Sequence, residues 1–316
     1  MYIIRVAEPA DYEMIAETVT RIKPEPVTGE EILKQDRRLL NDPAWAFRRM
    51  VAVRPEDGQV VGYCFAERGE WEPEGRCVVY AAVHPDFRGK GAGQSLLDAA
   101  ESFARELGAN RVRSWCSGEH DDAFAWAQRR GFKLTRQRTE SVLDLKSFDM
   151  APFAPAIDRV RANGLTLTLM DGATLPEELL RQVYELDCTT SPDVPVWQAD
   201  DTVQSWEQYR KDWVEYPDPF VVALALDGDR LVGMSTLYFA TIPGNSASIG
   251  YTAVLREYRG RGIAMAAKLL TMQEAMRQGV PSIRTNNDPD NPPMLAVNVK
   301  LGFKFIPGPR LMEKQI

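Results

Sequence analysis

The amino-acid sequence predicts a mixed α/β fold, of the α+β kind with a mixed sheet, built twice in tandem. Three observations predict it. The chain repeats itself at a constant offset, each copy passes from strand-like alternation into amphipathic helices, and a glycine-rich turn joins a strand to a helix at the same place in both copies.

The repeat is read from letters that stay in register. Tyr80-Ala-Ala-Val83 matches Tyr251-Thr-Ala-Val254, Arg88-Gly-Lys-Gly91 matches Arg259-Gly-Arg-Gly262, and Gly131-Phe132-Lys133 matches Gly302-Phe303-Lys304. Val61-Gly62 and Val232-Gly233 keep the same spacing. A chain of 316 residues suits two domains, here 1–150 and 156–316, and the prolines of Met150-Ala-Pro-Phe-Ala-Pro155 between them read as a linker.

Each copy opens with a strand, Ile3-Ile-Arg-Val6 or Leu165-Thr-Leu-Thr168. Apolar spacing then predicts two helices, over 10–20 and 30–40 in the first copy and over 176–188 and 202–213 in the second. Three strand-like runs follow, at 47–53, 60–66 and 78–83, and at 220–226, 231–239 and 247–254. Asp57-Gly58 and Asp227-Gly228 offer tight turns within these antiparallel meanders. Beyond each glycine turn a helix, 92–107 or 263–278, ends at Gly108 or Gly279, the residue suited to a left-handed C-terminal cap. A short strand at 111–115 or 282–285, a last helix running into Gly-Phe, and a closing strand complete each copy.

Composition removes several function classes. Apolar residues make up 44% and charged residues 26%, the balance of a globular chain with a core. The formal charge is −7, and neither half is basic, with 22 basic against 25 acidic residues through Met150 and 16 against 20 after it. A nucleic-acid partner is disfavoured, because phosphate counterions are displaced by concentrated Lys and Arg. The four cysteines form no C-x-x-C pair, and two histidines do not make a zinc site, so no metal is expected and a cytoplasmic location is. No apolar run is long enough to span a bilayer, so no membrane partner is expected. The oligomeric state is left open.

The chemistry is written in the two turns, Val83-His-Pro-Asp-Phe-Arg-Gly-Lys-Gly-Ala-Gly93 and Val254-Leu-Arg-Glu-Tyr-Arg-Gly-Arg-Gly-Ile-Ala264. Each places unpaired backbone N–H groups of a helix start, and the positive end of its dipole, beside glycines that let the chain curve around an anion. Arg88, Lys90, Arg259 and Arg261 add charge at the same mouths. Neither G-x-x-x-x-G-K-[ST] nor G-x-G-x-x-G is present, which excludes nucleoside triphosphatase and dinucleotide dehydrogenase readings.

Arg88-x-x-Gly91-x-Gly93 and Arg259-x-x-Gly262-x-Ala264, each after a valine-ended strand, resemble the acetyl-CoA signature of the GNAT N-acetyltransferase superfamily. The family's Asn-x-x-Ala-x-x-x-Tyr pattern before Gly-Phe is echoed by Asn291-Pro-Pro-Met294-Leu-Ala-Val-Asn298, and more faintly by His120-Asp-Asp-Ala123-Phe-Ala-Trp-Ala127. Tandem members of the superfamily, such as mycothiol synthase, are similar in architecture, though no motif here specifies a substrate.

The resemblance implies transfer of an acyl group from acetyl-CoA, or another acyl-CoA, to a primary amine of a small molecule or peptide. It implies a bulged strand ending at Val83 or Val254, splayed from the next strand, with the pantetheine arm in the gap. In the first copy Ala82, Val83, Arg88, Gly89, Lys90, Gly91, Ala92, Gly93 and Gln94 would hold CoA. Ala253, Val254, Arg259, Gly260, Arg261, Gly262, Ile263, Ala264 and Asn291 would do so in the second. Main-chain groups at the two strand ends would polarise the thioester carbonyl.

Many family members use a tyrosine as proton donor where Ala127 and Asn298 stand here. Alanine donates nothing, so the second copy is expected to be the catalytic one, with Asn298 and Tyr251 as candidate catalytic residues. Tyr251 also reads as a packed strand aromatic. Trp197, Trp206, Trp213 and Tyr209 line an acceptor pocket or fill a core, and Glu67, Glu70, Glu72 and Glu74 attract an amine or form a solvated loop. His84 shapes its His-Pro turn. The alternative function is a CoA-binding scaffold that has lost its proton donors.

Overall fold

A computed structural model describes residues 2–22, 26–69, 72–194, 203–216, 218–240 and 245–316. Trp197 and Glu70 lie outside the described residues. The chain forms two compact units, one holding Met1–Arg136 with Pro309–Ile316, the other Gln137–Ala199 with Val203–Gly308.

Unit 1 begins with β1 (Ile3–Val6), α1 (Tyr12–Ile22) and α2 (Gly29–Asn41). A capping box starts α2: the Glu31 N–H donates to Thr28 Oγ1 at 3.2 Å, and Glu31 Oε2 accepts from the Thr28 N–H at 2.9 Å. The meander β2 (Ala46–Val53), β3 (Val60–Arg68) and β4 (Arg76–Val83) is antiparallel, and α3 (Ala92–Glu106) crosses to β5 (Arg111–Cys116), which lies parallel to β4. α4 (Asp121–Gln128) leads into β6 (Lys133–Asp144). One core, including Leu96, Leu97 and Ala100 of α3, lies on one side; a second gathers Ile15 and Val19 of α1 with Ile32 of α2.

Unit 2 repeats the plan. α5 (Ala154–Ala162) precedes β7 (Thr166–Asp171), α6 (Glu177–Thr190) and α7 (Trp206–Val214). The strands β8 (Phe220–Asp227), β9 (Arg230–Tyr238) and β10 (Ala247–Val254) form the second meander, and α8 (Ile263–Arg277) crosses to β11 (Ser282–Asn287), parallel to β10. α9 (Pro292–Lys300) leads into β12 (Lys304–Gln315).

Two sequence expectations change here. Met150–Pro155 is not an extended linker: a short 3-10 turn over Ala151–Phe153 runs into α5, whose Ile157 and Val160 are buried in the unit 2 core. The prolines sit in first-turn positions, where the missing N–H has no helical acceptor to lose. The boundary read at 150–156 also gives way to one at 136–137, because the closing strands are 12 residues long and change unit part-way. Residues 139–144 of β6 pair antiparallel with β11, and residues 310–315 of β12 pair antiparallel with β5.

Glycine sets one tight contact in unit 2. Trp213 of α7 donates its indole N–H to the Gly172 carbonyl at 2.7 Å and packs edge-on against Phe220, ring centres 5.2 Å apart. A Cβ at Gly172 would sit 1.9 Å from the Phe220 ring, which the packed sheet does not let move. Gly172→Ala is expected to destabilise unit 2 by about 1–3 kcal/mol, the cost of overpacking a core, read as a lowered urea midpoint for the tryptophan fluorescence transition.

Candidate functional site

The two glycine turns adopt one conformation. Gly91 (φ 92°) and Gly262 (φ 83°) are the left-handed N-caps of α3 and α8, and no side chain caps either helix start. Gly89, Gly91 and Gly260 face open space, and Gly262 nearly so. The leading arginines have a job the sequence did not announce. Arg88 Nε donates to the Val83 carbonyl at 3.2 Å and Arg259 Nε to the Val254 carbonyl at 3.0 Å, tying each loop to the end of its strand. Arg259 also pairs with Asp193 at 2.7 Å, and Arg88 with Asp122 at 3.4 Å. Arg261 donates to the Glu257 carbonyl, Lys90 lies over the Phe87 ring, and Gln94 donates to Asp98. Ala92 and Ile263 are buried at the first helical turn, beside Gly93 and Ala264.

The strands before the loops differ between the copies. In each unit the parallel pair holds for a few residues and then separates: β4 and β5 pair only through Val78 and Arg113, β10 and β11 only through Ser248 and Arg284. β4 pairs with β3 in unbroken register from Val78 to Val83, with Ala82 opposite Tyr63. β10 does not. Its register with β9 shifts between Ile249 and Thr252, so the bulge expected of both copies exists in unit 2 alone. The bulged Tyr251 N–H donates to the Thr236 hydroxyl at 2.9 Å, and beyond the break Ala253 and Val254 resume pairing with Met234 and Gly233. In unit 1 the separating strands are bridged instead by Trp115 tilted against Tyr80, 5.3 Å between ring centres, with Phe65 stacked on Tyr80 and tilted against Trp115.

Beside the bulge lies a cavity of about 170 Å³, lined by Tyr251, Thr236, Tyr238 and Met234 from the sheet and by Asp187, Gln204, Tyr209, Asp212, Trp213 and Tyr216. Of the four aromatics weighed for an acceptor pocket, Tyr209 and Trp213 line it, whereas Trp206 packs on Tyr184 and beneath Arg181. Burial raises the Asp187 carboxyl above its ordinary value, against hydrogen bonds from Ser191 and Tyr209 that lower it. Tyr251 Oη is 2.9 Å from the Thr190 hydroxyl, and burial raises its phenol too. The acidic residues of unit 1 behave differently from a solvated loop. Glu72 is buried against Arg76, and burial pushes the Glu67 carboxyl up to about 7, while Glu74 is exposed. His84 is buried, and its Nδ1 accepts the Asp86 N–H at 3.3 Å, which fixes the His-Pro turn.

Asn298 is fully buried. Its Oδ1 accepts from Lys268 Nζ at 2.7 Å, and its Nδ2 donates to Asn287 Oδ1 at 2.6 Å and faces Ser141 Oγ at 3.5 Å. Lys268 is 1% exposed, and burial pushes its ammonium down to about 7. Asn291 caps α9, its Oδ1 accepting the Met294 N–H at 3.3 Å, and His120 in the matching place of unit 1 has its Nε2 3.2 Å from the Ile22 carbonyl.

A profile of the Acetyltransferase (GNAT) family matches residues 13–132 and again 180–303. The chain belongs to this family. Among relatives of this GNAT chain, a protein named mycothiol acetyltransferase from Nocardiopsis dassonvillei is 26% identical over 279 residues, spanning 78% of this chain and 76% of the relative. One of the same name from Saccharopolyspora erythraea is 24% identical over 275 residues, spanning 79% and 80%. A tandem GNAT protein from the clavulanic acid biosynthesis pathway superimposes with a TM-score of 0.80 at 20% identity, covering 100% of this chain and 98% of that one. A GCN5-related N-acetyltransferase from Sphaerobacter thermophilus gives 0.71 at 21% identity, covering 99% and 95%. At these identities the solved structures establish a shared tandem GNAT fold. The GNAT chain is an acyltransferase with this two-copy architecture. Among the described residues no helix is long and apolar enough to cross a membrane, and no cluster of side chains is placed to hold a metal ion.

Sequence reasoning missed Asp187, Thr236 and Lys268. Lys268 and Thr236 had a signal in the repeat: Lys268 stands where the first copy has Leu97, and Thr236 where it has Phe65. Asp187 had none, since the first helices of the two copies do not align in register. The depressed Lys268 ammonium has a thermodynamic consequence. Its folded value of about 7 lies below the ordinary 10.5, so between those pH values the unfolded chain binds more protons and stability rises with pH. Urea unfolding of unit 2 at pH 7 and pH 9.5 is expected to lose a slope of up to about 1.4 kcal/mol per pH unit in Lys268→Met; an unchanged slope would count against a depressed lysine.

Proposed function

We propose that unit 2 transfers an acetyl group from acetyl-CoA to the primary amine of a small molecule or peptide, and that unit 1 does not catalyse. One observation carries this reading: β10 breaks register at Gly250–Tyr251 and opens beside an acid-lined cavity, whereas β4 runs unbroken and its gap is bridged by Trp115 and Tyr80. The fit to CoA rests on chain features alone. An uncapped helix start with glycines facing open space suits a pyrophosphate, and strands that part after a short parallel pairing suit an extended arm between them. The relatives' name favours a small-molecule acceptor over a peptide.

In this reading the pyrophosphate rests on the N–H groups at Arg259–Ala264, and Asn291 holds the start of the neighbouring helix. Main-chain groups around Ala253 and Val254 orient the arm and polarise the thioester carbonyl. The acceptor enters the cavity as an ammonium drawn by Asp187 and Asp212. Asp187, its carboxyl raised by burial, takes the proton that frees the nitrogen lone pair, with Tyr251 beside it for relay. The nitrogen attacks the carbonyl carbon and the C–N bond forms; the C–S bond breaks with its electron pair on sulfur, and the second proton lost by the acylated nitrogen ends on that sulfur, so that CoA leaves as the thiol.

Unit 1, with Ala127 at the proton-donor position, fits the second reading, a CoA-responsive or purely structural module at Ala82, Val83 and Arg88–Gln94. Valine at either N-cap glycine must adopt a positive φ, at a cost of about 1–3 kcal/mol in the loop. Thiol release from acetyl-CoA over an amine set is therefore expected to fall about tenfold or more in kcat/KM for Gly262→Val and to stay within about twofold for Gly91→Val. Equal losses would reject the assignment of catalysis to unit 2.

A further inference from the structure

Four sheet residues line the unit 2 cavity: Met234, Thr236, Tyr238 and Tyr251. The constant offset of the repeat puts Tyr63, Phe65, Glu67 and Tyr80 at the same four positions of unit 1, so the first copy keeps the floor of the site with different chemistry. Tyr63, Phe65 and Glu67 alternate onto one face of β3. The rings of that face form a tray. Phe65 stacks on Tyr80 with ring centres 5.6 Å apart, and Trp115 of β5 tilts against both, 5.3 Å from Tyr80 and 6.1 Å from Phe65. These rings bridge the parting of β4 from β5, yet Phe65, Tyr80 and Trp115 are only half-buried, each with part of its surface open to solvent.

At the edge of the tray stands a carboxyl that nothing holds. Glu67 lies opposite Phe47 on β2 and Val78 on β4, half-buried, and among the described residues it makes no hydrogen bond and no ion pair. The cations of this face are engaged elsewhere. Arg49 lies over the Phe47, Tyr63 and Phe65 rings and is held by Asp36 through hydrogen bonds of 2.6 and 2.8 Å. Arg113 approaches Glu72 at 3.6 Å and Glu313 at 3.7 Å. The neighbouring acids have partners too, Asp36 in Arg49 and the Tyr12 hydroxyl, Glu72 in Arg76. Burial pushes the Glu67 carboxyl up to about 7; Arg49 opposes the rise, and Glu72 and Asp36 add to it. A carboxylate drawn out of water without a partner is destabilised, and a cation is the partner that restores its ionised form.

We propose that this face of unit 1 is a second binding site, for an organic ammonium carried on a flat apolar body: the body lies on Phe65, Tyr80 and Trp115, and the ammonium donates to the Glu67 carboxylate. Rings offer a flat ligand a large contact area and a cation their negative faces. Arg49, 5.1 Å from the Phe65 ring centre, is a cation already seated on this face, and Asp36 balances its charge, which leaves Glu67 to balance a ligand's. An anionic ligand is repelled by Glu67, and a cation without a flat body leaves the rings uncovered. The site binds without turnover, because the rings fill the space between β4 and β5 that an acyl donor needs. The inference does not rest on catalysis by unit 2.

The test titrates two probes by calorimetry into the full chain carrying Asp187→Asn, which removes a carboxylate of the unit 2 cavity. Tryptamine is a flat ring bearing an ammonium, and indole-3-propionate is the same ring on a chain of the same length bearing a carboxylate. Tryptamine is expected to bind about tenfold more tightly at pH 8 than at pH 6, because a carboxyl with a value of about 7 is mostly protonated at the lower pH and mostly ionised at the higher. Indole-3-propionate is expected to bind at least about tenfold more weakly than tryptamine at pH 8. Adding Glu67→Gln, which keeps the shape of the side chain, is expected to abolish the pH response and to weaken tryptamine about tenfold at pH 8. Adding Trp115→Leu instead is expected to weaken tryptamine about fivefold and to preserve the pH response, which a general loosening of unit 1 would not do. Tryptamine that binds no more tightly than indole-3-propionate, or whose affinity and pH response are untouched by Glu67→Gln, would overturn the inference and leave the reading of unit 2 as it stands.

Discussion

A single register break organises the site. At Gly250 the β10 backbone comes so close to its neighbours that a Cβ would lie 2.3 Å from the Tyr238 ring and 2.8 Å from the Thr236 hydroxyl. Glycine there lets the strand gain a residue, and the hydroxyl of Thr236 takes over the N–H of Tyr251 that regular pairing leaves without an acceptor. The first copy has Val79 and Phe65 at the matching places, a β-branched residue buried in the core and an aromatic with no hydrogen-bonding group. Those two residues keep β4 regular. From the presence or absence of this break follow the turn of Tyr251 into a cavity, the room beside Thr236 and Tyr238, and the closure of the equivalent space in unit 1 by stacked rings.

Much of the fold was legible because it is written twice. Local signals placed the strands to within a few residues: alternation for β2, β3, β8 and β9, aspartate–glycine turns for the hairpins, and glycines at the starts of α3 and α8. Where the letters misled, the deciding partner was distant in sequence. The prolines of 150–155 look like a linker until Ile157 and Val160 find an apolar surface in unit 2 to cover. The last residues of β6 and β12 look like the ends of their own domains until β11 and β5 supply the pairing edges.

The site was legible in its loops and obscure in its cavity. Gly91 and Gly262 announce themselves because only glycine is at ease at φ near 90°. Asn298 was read as a candidate catalytic residue, and its carbonyl oxygen is committed to a buried lysine that no local pattern singles out. Asp187 sits on an ordinary amphipathic helix and becomes notable only when Tyr209, Tyr251 and Ser191 gather around it. A glycine inside a strand, Gly250 against Val79, was the one local sign of the bulge.

The two copies share a scaffold and differ beside it. Both keep the uncapped helix start and the arginine tied to the strand end, and the second adds a bulged strand with a cavity next to it, on which the proposed function rests. The most direct measurement is a crystal structure of the full chain with CoA and a reactive amine. If unit 2 carries the reaction, the pantetheine arm lies between β10 and β11 with the amine in the cavity at Asp187. An arm threaded between β4 and β5, with the unit 2 cavity empty, would contradict it.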